Sequence, residues 1–154
     1  MGEFVNSVPL DNVIKIRRAG NTRSIIQPNL DHLVAAEKTK VQRYLLEERS
    51  DMLFARAVLL VEGQSEFLAI PNFARKLNID LNKRGISIVF TEGNQNFSTY
   101  HHILSAFGIP HVILADGDGN KSSKVEKYRD YADHLFVLEE DFEFMIVSSL
   151  SSAR

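Results

Sequence analysis

Four short apolar runs constrain this chain more than any other feature. They read "AVLLV" at 57–61, "ISIVFT" at 86–91, "HVILA" at 111–115 and "HLFVL" at 134–138. Near-continuous apolar runs of this length are what strands covered on both faces of a parallel sheet require. Helical segments alternate with them: 66–77, then "NFSTYHHILSAFG" with Gly108 as its C′ residue, then the short polar "SSKVEKYRDYAD", then "EDFEFMIVSSL". Strand and helix in alternation imply parallel neighbours joined by right-handed crossovers. The expected class is α/β, with a central, mainly parallel four-stranded sheet flanked by helices. Pro71 has no N–H to offer an i−4 carbonyl, so the 66–77 helix is expected to kink or restart there.

Ahead of these elements, residues 10–27 hold two β-rich runs. Val13, Ile14 and Ile16 form one, and Ile25 and Ile26 belong to the other, with "AGN" between them as a turn. A hairpin is expected. From Asp31 to about Ala55 there is no glycine or proline. Leu33, Val34, Val41, Leu45, Leu46, Leu53 and Phe54 recur at roughly helical spacing. This predicts one long amphipathic helix, or two with a break near Ser50. The opening "MGEF" reads as a cloning remnant. The closing "LSSAR" stops just after an apolar run, as expected of a piece of a longer protein.

Composition narrows the function classes. No run approaches the roughly 18 apolar residues of a membrane span, and no secretory h-region stands near the start. The absence of cysteine removes thiolate metal sites and fits a reducing cytoplasm. A formal charge of −2 argues against a globally basic nucleic-acid binder. Contact with phosphates then needs a local basic patch or bridging metal ions.

In open parallel sheets, sites lie outside the carboxyl ends of the strands. That rule selects Glu62, the turn at Gly93, Asp116, Asp118 and the acids of "LEEDFE". Asp116 and Asp118 are two apart, so an extended backbone points both side chains the same way. Carboxylates that meet repel until one takes a proton or a cation joins them, and hard oxygen donors suit Mg²⁺ or Mn²⁺. Each acid also has a plain alternative. Glu62 and Glu66 fit caps at a helix N-terminus. "DGDGN" is good turn chemistry. Glu139, Glu140 and Asp141 fit an acidic helix start. As an EF-hand loop "DGDGN" fails, because Lys121 and Lys127 occupy the required glycine and glutamate positions.

"LLVEGQSE", "FTEGNQNF" and "VILADGDGN", in that order, resemble a Toprim domain, and their wording resembles the overcoming lysogenization defect (OLD) family of ATPase–nucleases. The resemblance covers most of the chain. It implies residues 1–55 as a hairpin and helical linker from the end of an upstream ATPase domain, and residues 56–154 as the Toprim nuclease domain. It implies Glu62 as the catalytic, metal-associated glutamate, Glu66 as the second acid of that motif, and Asp116 and Asp118 as the metal-binding pair. In the later acidic motif it implies Glu143 as a ligand, with Glu140 or Asp141 as alternatives. The implied cofactors are two Mg²⁺ or Mn²⁺ ions, the substrate is DNA, and the parent protein is a homo-oligomer. ATP belongs only to an upstream domain, since this chain has no phosphate-binding G-x-x-x-x-G-K-[ST] loop. The family's basic residue beyond the last acidic motif has no clear counterpart.

Lys121 and Lys124, near the aspartates, are candidate nucleic-acid contacts, although a solvated helix face fits them as well. Arg17, Arg18 and Arg23 carry the same ambiguity. His101 and His102 point about 100° apart on a helix, which disfavours joint chelation. His111 and His134 are expected to cap or pack at strand starts. Two rival classes remain: a non-catalytic module for oligomerisation or nucleic-acid binding, and a receiver-like phospho-acceptor domain. The latter needs a lysine where "HLFVLEE" has glutamates.

Overall fold

A computed structural model of the chain describes residues 9, 12–31, 33–44, 50–131 and 133–152. Leu45, Leu46, the opening "MGEF" and the final two residues lie outside them. The hairpin pairs β1 (Lys15–Ala19) with β2 (Thr22–Ile26) antiparallel, turning at Gly20 and Asn21. Helix α1 (Ala35–Tyr44) follows, and a 3₁₀ turn over Ser50–Phe54 leads into the sheet.

Then come β3 (Ala57–Val61), α2 (Gln64–Lys76), α3 (Leu81–Arg84), β4 (Ile86–Phe90), α4 (Phe97–Ala106), β5 (His111–Ala115), α5 (Lys121–Tyr128), β6 (His134–Val137) and α6 (Phe142–Ser152). The strands make one parallel sheet in the order β4–β3–β5–β6. Two details depart from expectation. Helix α2 does not restart at Pro71 but runs through it. The short α3 was not foreseen; Asp80 caps it by accepting from the Lys83 N–H, and Gly85 ends it in the left-handed region.

The sheet is sandwiched because its strands are apolar on both faces. Val58, Leu60, Val61, Ile113 and Ala115 are fully buried. Helix α4 supplies Phe97, Tyr100, Ile103 and Leu104 at helical spacing, all buried, and Phe107 follows. Each such side chain contributes about 1.5–3 kcal/mol of transfer free energy. Leu30, Leu33, Met52 and Leu53 join the same apolar cluster, so the segment before β3 packs onto the sheet domain. The hairpin shares little of this burial; Ile14, Ile16 and Ile25 are more than half exposed. Among the described residues, no helix is long and apolar enough to cross a membrane.

The strand order places the functional rim. Chain order runs β3 to β4 on one side, then back past β3 to β5 on the other. The carboxyl ends of β3 and β5 therefore flank a point where strand order reverses, the usual location of a site in such sheets.

Candidate active site

Register puts the acids side by side. Val61 pairs with Leu114 and with Phe90, and Ala115 pairs with Val137. The residues that follow each strand, Glu62, the 91–94 turn, Asp116 and the 138–143 loop, therefore emerge on one edge with neighbouring chains about 4.8 Å apart.

Glu62 stands between two of these loops. Its Oε1 accepts from the Asn94 side-chain amide at 3.1 Å, while its Oε2 is buried without a hydrogen-bond partner. A buried acceptor left unsatisfied costs free energy, so this oxygen marks a place for a proton or a cation. The 91–94 turn is fastened to the same strand: the Thr91 N–H reaches Val61 O and the Gly93 N–H reaches Glu62 O. The Thr91 hydroxyl adds bonds to Val61 O and Gly93 O, and the buried Asn96 amide bonds Thr91 O at 2.7 Å. Glu92 and Gly93 both have positive φ, 58° and 105°, a path that glycine takes easily and glutamate does not. Asn94, Thr91 and Asn96 were not singled out from sequence, although "NQN" directly after the glycine was visible there.

Glu66 is 3% exposed, and its Oε2 accepts from the Gly63 N–H at 3.2 Å. The plain reading is therefore right in part: Glu66 does cap the start of α2. Burial raises its pKa, with its own and Gly63's N–H groups opposing and the charges of Glu143 and Glu62 adding to the rise. Glu143 itself accepts from the Ser65 hydroxyl, which holds its carboxylate below the usual range.

Asp116 is pushed up to about 6, first by burial and then by the charges of Glu66 and Glu62, with Asp118 a minor cause. Its Oδ1 accepts from the Phe142 N–H at 3.0 Å, linking β5 to the start of α6. Asp118 does not sit in register with Asp116 on an extended strand, as the spacing implied. The backbone turns at Gly117, and Asp118 adopts φ 47°. Close approach requires glycine at 117: a Cβ there would lie 2.1 Å from Leu138 O and 2.5 Å from Glu139 O.

Asp118 forms an ion pair with Lys124. Burial alone lowers the Lys124 pKa, but the bond to Asp118 and the charges of Glu62 and Asp118 leave it raised overall. Lys121 pairs with Glu139. Asp141 accepts from the Phe144 N–H at 2.6 Å, as a helix cap does, and Glu140 is exposed. Of the later acids, Glu143 alone is coupled to Glu66.

Glu62, Glu66, Asp116, Asp118 and Glu143 thus share one electrostatic neighbourhood. Among the described residues, however, no three acid or histidine side chains stand as a closed metal cage. Backbone N–H groups and Lys124 hold several of the oxygens a cation would take. The donor set fits Mg²⁺ or Mn²⁺ in kind, being all carboxylate, and the unsatisfied Glu62 Oε2 fits in place. Among the described residues, His101 and His111 lie elsewhere, bonded to each other at 3.0 Å at the opposite end of the sheet.

Comparison with known proteins agrees with the residue pattern. Residues 53–118 match the family model of the Toprim domain of overcoming lysogenization defect protein-like proteins. The Old nuclease of Escherichia phage P2 is 28% identical over 124 residues, covering 77% of this chain and 21% of that protein. The uncharacterized protein YbjD of Escherichia coli K12 is 24% identical over 117 residues, covering 76% and 21%. The C-terminal region of the Xanthomonas campestris OLD protein is 32% identical with a TM-score of 0.49, covering 60% of this chain and 54% of that one. The corresponding Burkholderia pseudomallei region is 28% identical with a TM-score of 0.48, covering 58% and 56%. The chain thus spans about a fifth of the length of the curated relatives it matches. The glutamate-glycine turn after β3 and the aspartates after β5 fall within the matched residues, 53–118, and it is over this segment that the chain resembles the OLD-like Toprim family.

Proposed function

We propose that residues 56–154 are the nuclease domain of a divalent-metal-dependent enzyme that nicks or cleaves DNA, and that residues 1–55 continue from an upstream ATPase module. One observation carries the reading. A buried, unpartnered Glu62 oxygen stands in the field of Asp116, whose carboxyl burial and neighbouring acids push to about 6. Such a concentration of negative charge is costly without a cation and common where catalysis needs one.

Bound Mg²⁺ or Mn²⁺ supplies positive charge against phosphate oxygens and lowers the pKa of water. The residues proposed to hold it are Glu62, Asp116, Asp118, Glu66 and Glu143. Asn94 orients Glu62 through Oε1 and leaves Oε2 free to take the proton of the attacking water. The Phe142 N–H fixes Asp116 through Oδ1. Lys124 keeps an ammonium at the same edge, where the scissile phosphate must come.

The test is plasmid nicking with Mg²⁺ or Mn²⁺, run on this chain and on the longer protein that contains it. Glu62→Gln and Asp116→Asn are expected to abolish nicking, and wild-type activity that survives both would sink the proposal. The pairing of Lys124 with Asp118 favours one competitor, a binding module whose acids are internally neutralised. Tight Mn²⁺ binding lost on Asp116→Asn excludes that competitor.

A further inference from the structure

At the opposite end of the sheet, the hairpin and the segment entering β3 enclose a cleft of about 540 Å³. Lys15, Arg17, Arg18 and Arg56 line it, together with Phe54, which is 58% exposed. Among the described residues, no acidic residue lines it. Among the described residues, Lys15, Arg17 and Arg56 have no carboxylate partner, and Arg18 is bound only to Gly20 O. Lys15 is half-buried beside Arg17; burial, and then Arg17, lower its pKa. A half-buried lysine facing another cation is unfavourable in the free protein. The arrangement becomes favourable when an anion enters.

We propose that this cleft holds the phosphodiester backbone of single-stranded DNA, with Phe54 as the stacking face for a base. The volume suits a nucleotide-sized segment rather than a broad duplex surface. A basic groove beside an exposed aromatic ring is how sequence-tolerant single-strand binders work. The cleft lies about 20 Å from the acid rim, because Arg56 and Glu62 bracket the length of β3. It is therefore a holding surface, separate from the cleavage site. The choice of DNA as the anion rests on the nuclease reading above; the charge and shape of the cleft do not.

The experiment is fluorescence anisotropy of a short labelled oligothymidylate against this chain, in EDTA, across a salt series. Lys15→Gln with Arg17→Gln is expected to weaken binding about ten-fold or more and to reduce the slope of log affinity against log salt by roughly 1.4. Phe54→Ala is expected to weaken it about five-fold with the slope unchanged. Lys15→Gln alone should leave the melting temperature equal or higher, whereas a merely structural lysine would lower it. Binding indifferent to the double variant overturns the proposal. So does a duplex bound as tightly as the single strand. Competition by polyglutamate together with a silent Phe54→Ala assigns the cleft to an acidic protein instead. Because EDTA removes any metal chemistry, failure of the nicking assay leaves this result standing, and the reverse holds too.

Discussion

The two ends of one sheet carry opposite chemistry. At the carboxyl edge, Glu62, Glu66, Asp116, Asp118 and Glu143 share one electrostatic neighbourhood under loops tied to one another by backbone and side-chain hydrogen bonds. At the amino end, a hairpin with an exposed apolar face frames cations that have no carboxylate partner among the described residues. A formal charge of −2 hides this division completely. The difference is instructive about rigidity as well as charge. Acids that repel can be held together only by a frame that does not yield, and at the rim a backbone carbonyl approaches Gly117 so closely that only glycine fits. The cationic cleft needs no such frame, because an extended polyanion adapts to it.

The largest effect expected is on catalysis. Glu62→Gln should lower nicking by about 10²-fold or more, the scale of losing a proton acceptor in the reacting geometry. Single-strand binding in EDTA should be unchanged, and if both fall together the two ends are not independent.

Next is Gly117→Ala. Its Cβ would overlap two carbonyl oxygens of the backbone, so a loss of about 2–4 kcal/mol is expected by denaturant unfolding. The same change at Gly20, in the hairpin turn, meets no atom within 4 Å and costs only the strain of a positive φ.

A smaller effect is tied to pH. Asp116 has a folded pKa of about 6 against an ordinary 3.8, so in that interval the folded chain keeps a proton that the unfolded chain has released. Metal-free stability from this group therefore falls as pH rises from about 4 to about 6, then stays reduced. Asp116→Asn should remove that slope and stabilise the metal-free protein near pH 8 by about 1 kcal/mol, after allowance for solvent screening of a partly exposed group. Thermal melts in EDTA at about pH 5 and pH 8 measure it. A mutant more stable at low pH only would contradict the assignment.

Smallest of all, Ile16→Thr on the exposed hairpin face should change stability by less than about 0.5 kcal/mol. A larger loss would mean that the hairpin face is covered in solution.

Much of this was legible in the order of residues. The four apolar runs became the four strands, and their ends moved by one residue at most. Local sterics and alternation govern such elements, and both are written in consecutive positions. The rim positions of Glu62 and Asp116 were legible because a carboxylate directly after a buried strand has few reasons to be there. Of the two outcomes expected at Pro71, the restart did not form: α2 continues through it. The geometry of Asp118 misled. Extended spacing ignores the 138–139 backbone pressing on Gly117, a neighbour about twenty residues away in the chain.

Asn94 bonding Glu62 and Ser65 bonding Glu143 had no local signature. Each depends on which strands lie side by side, and nothing in the alternation of strand and helix specifies the order β4–β3–β5–β6. Composition set the class of fold because burial is a property of short segments. The convergence of acids came from packing, because electrostatic contact depends on distance in space and not on separation along the chain.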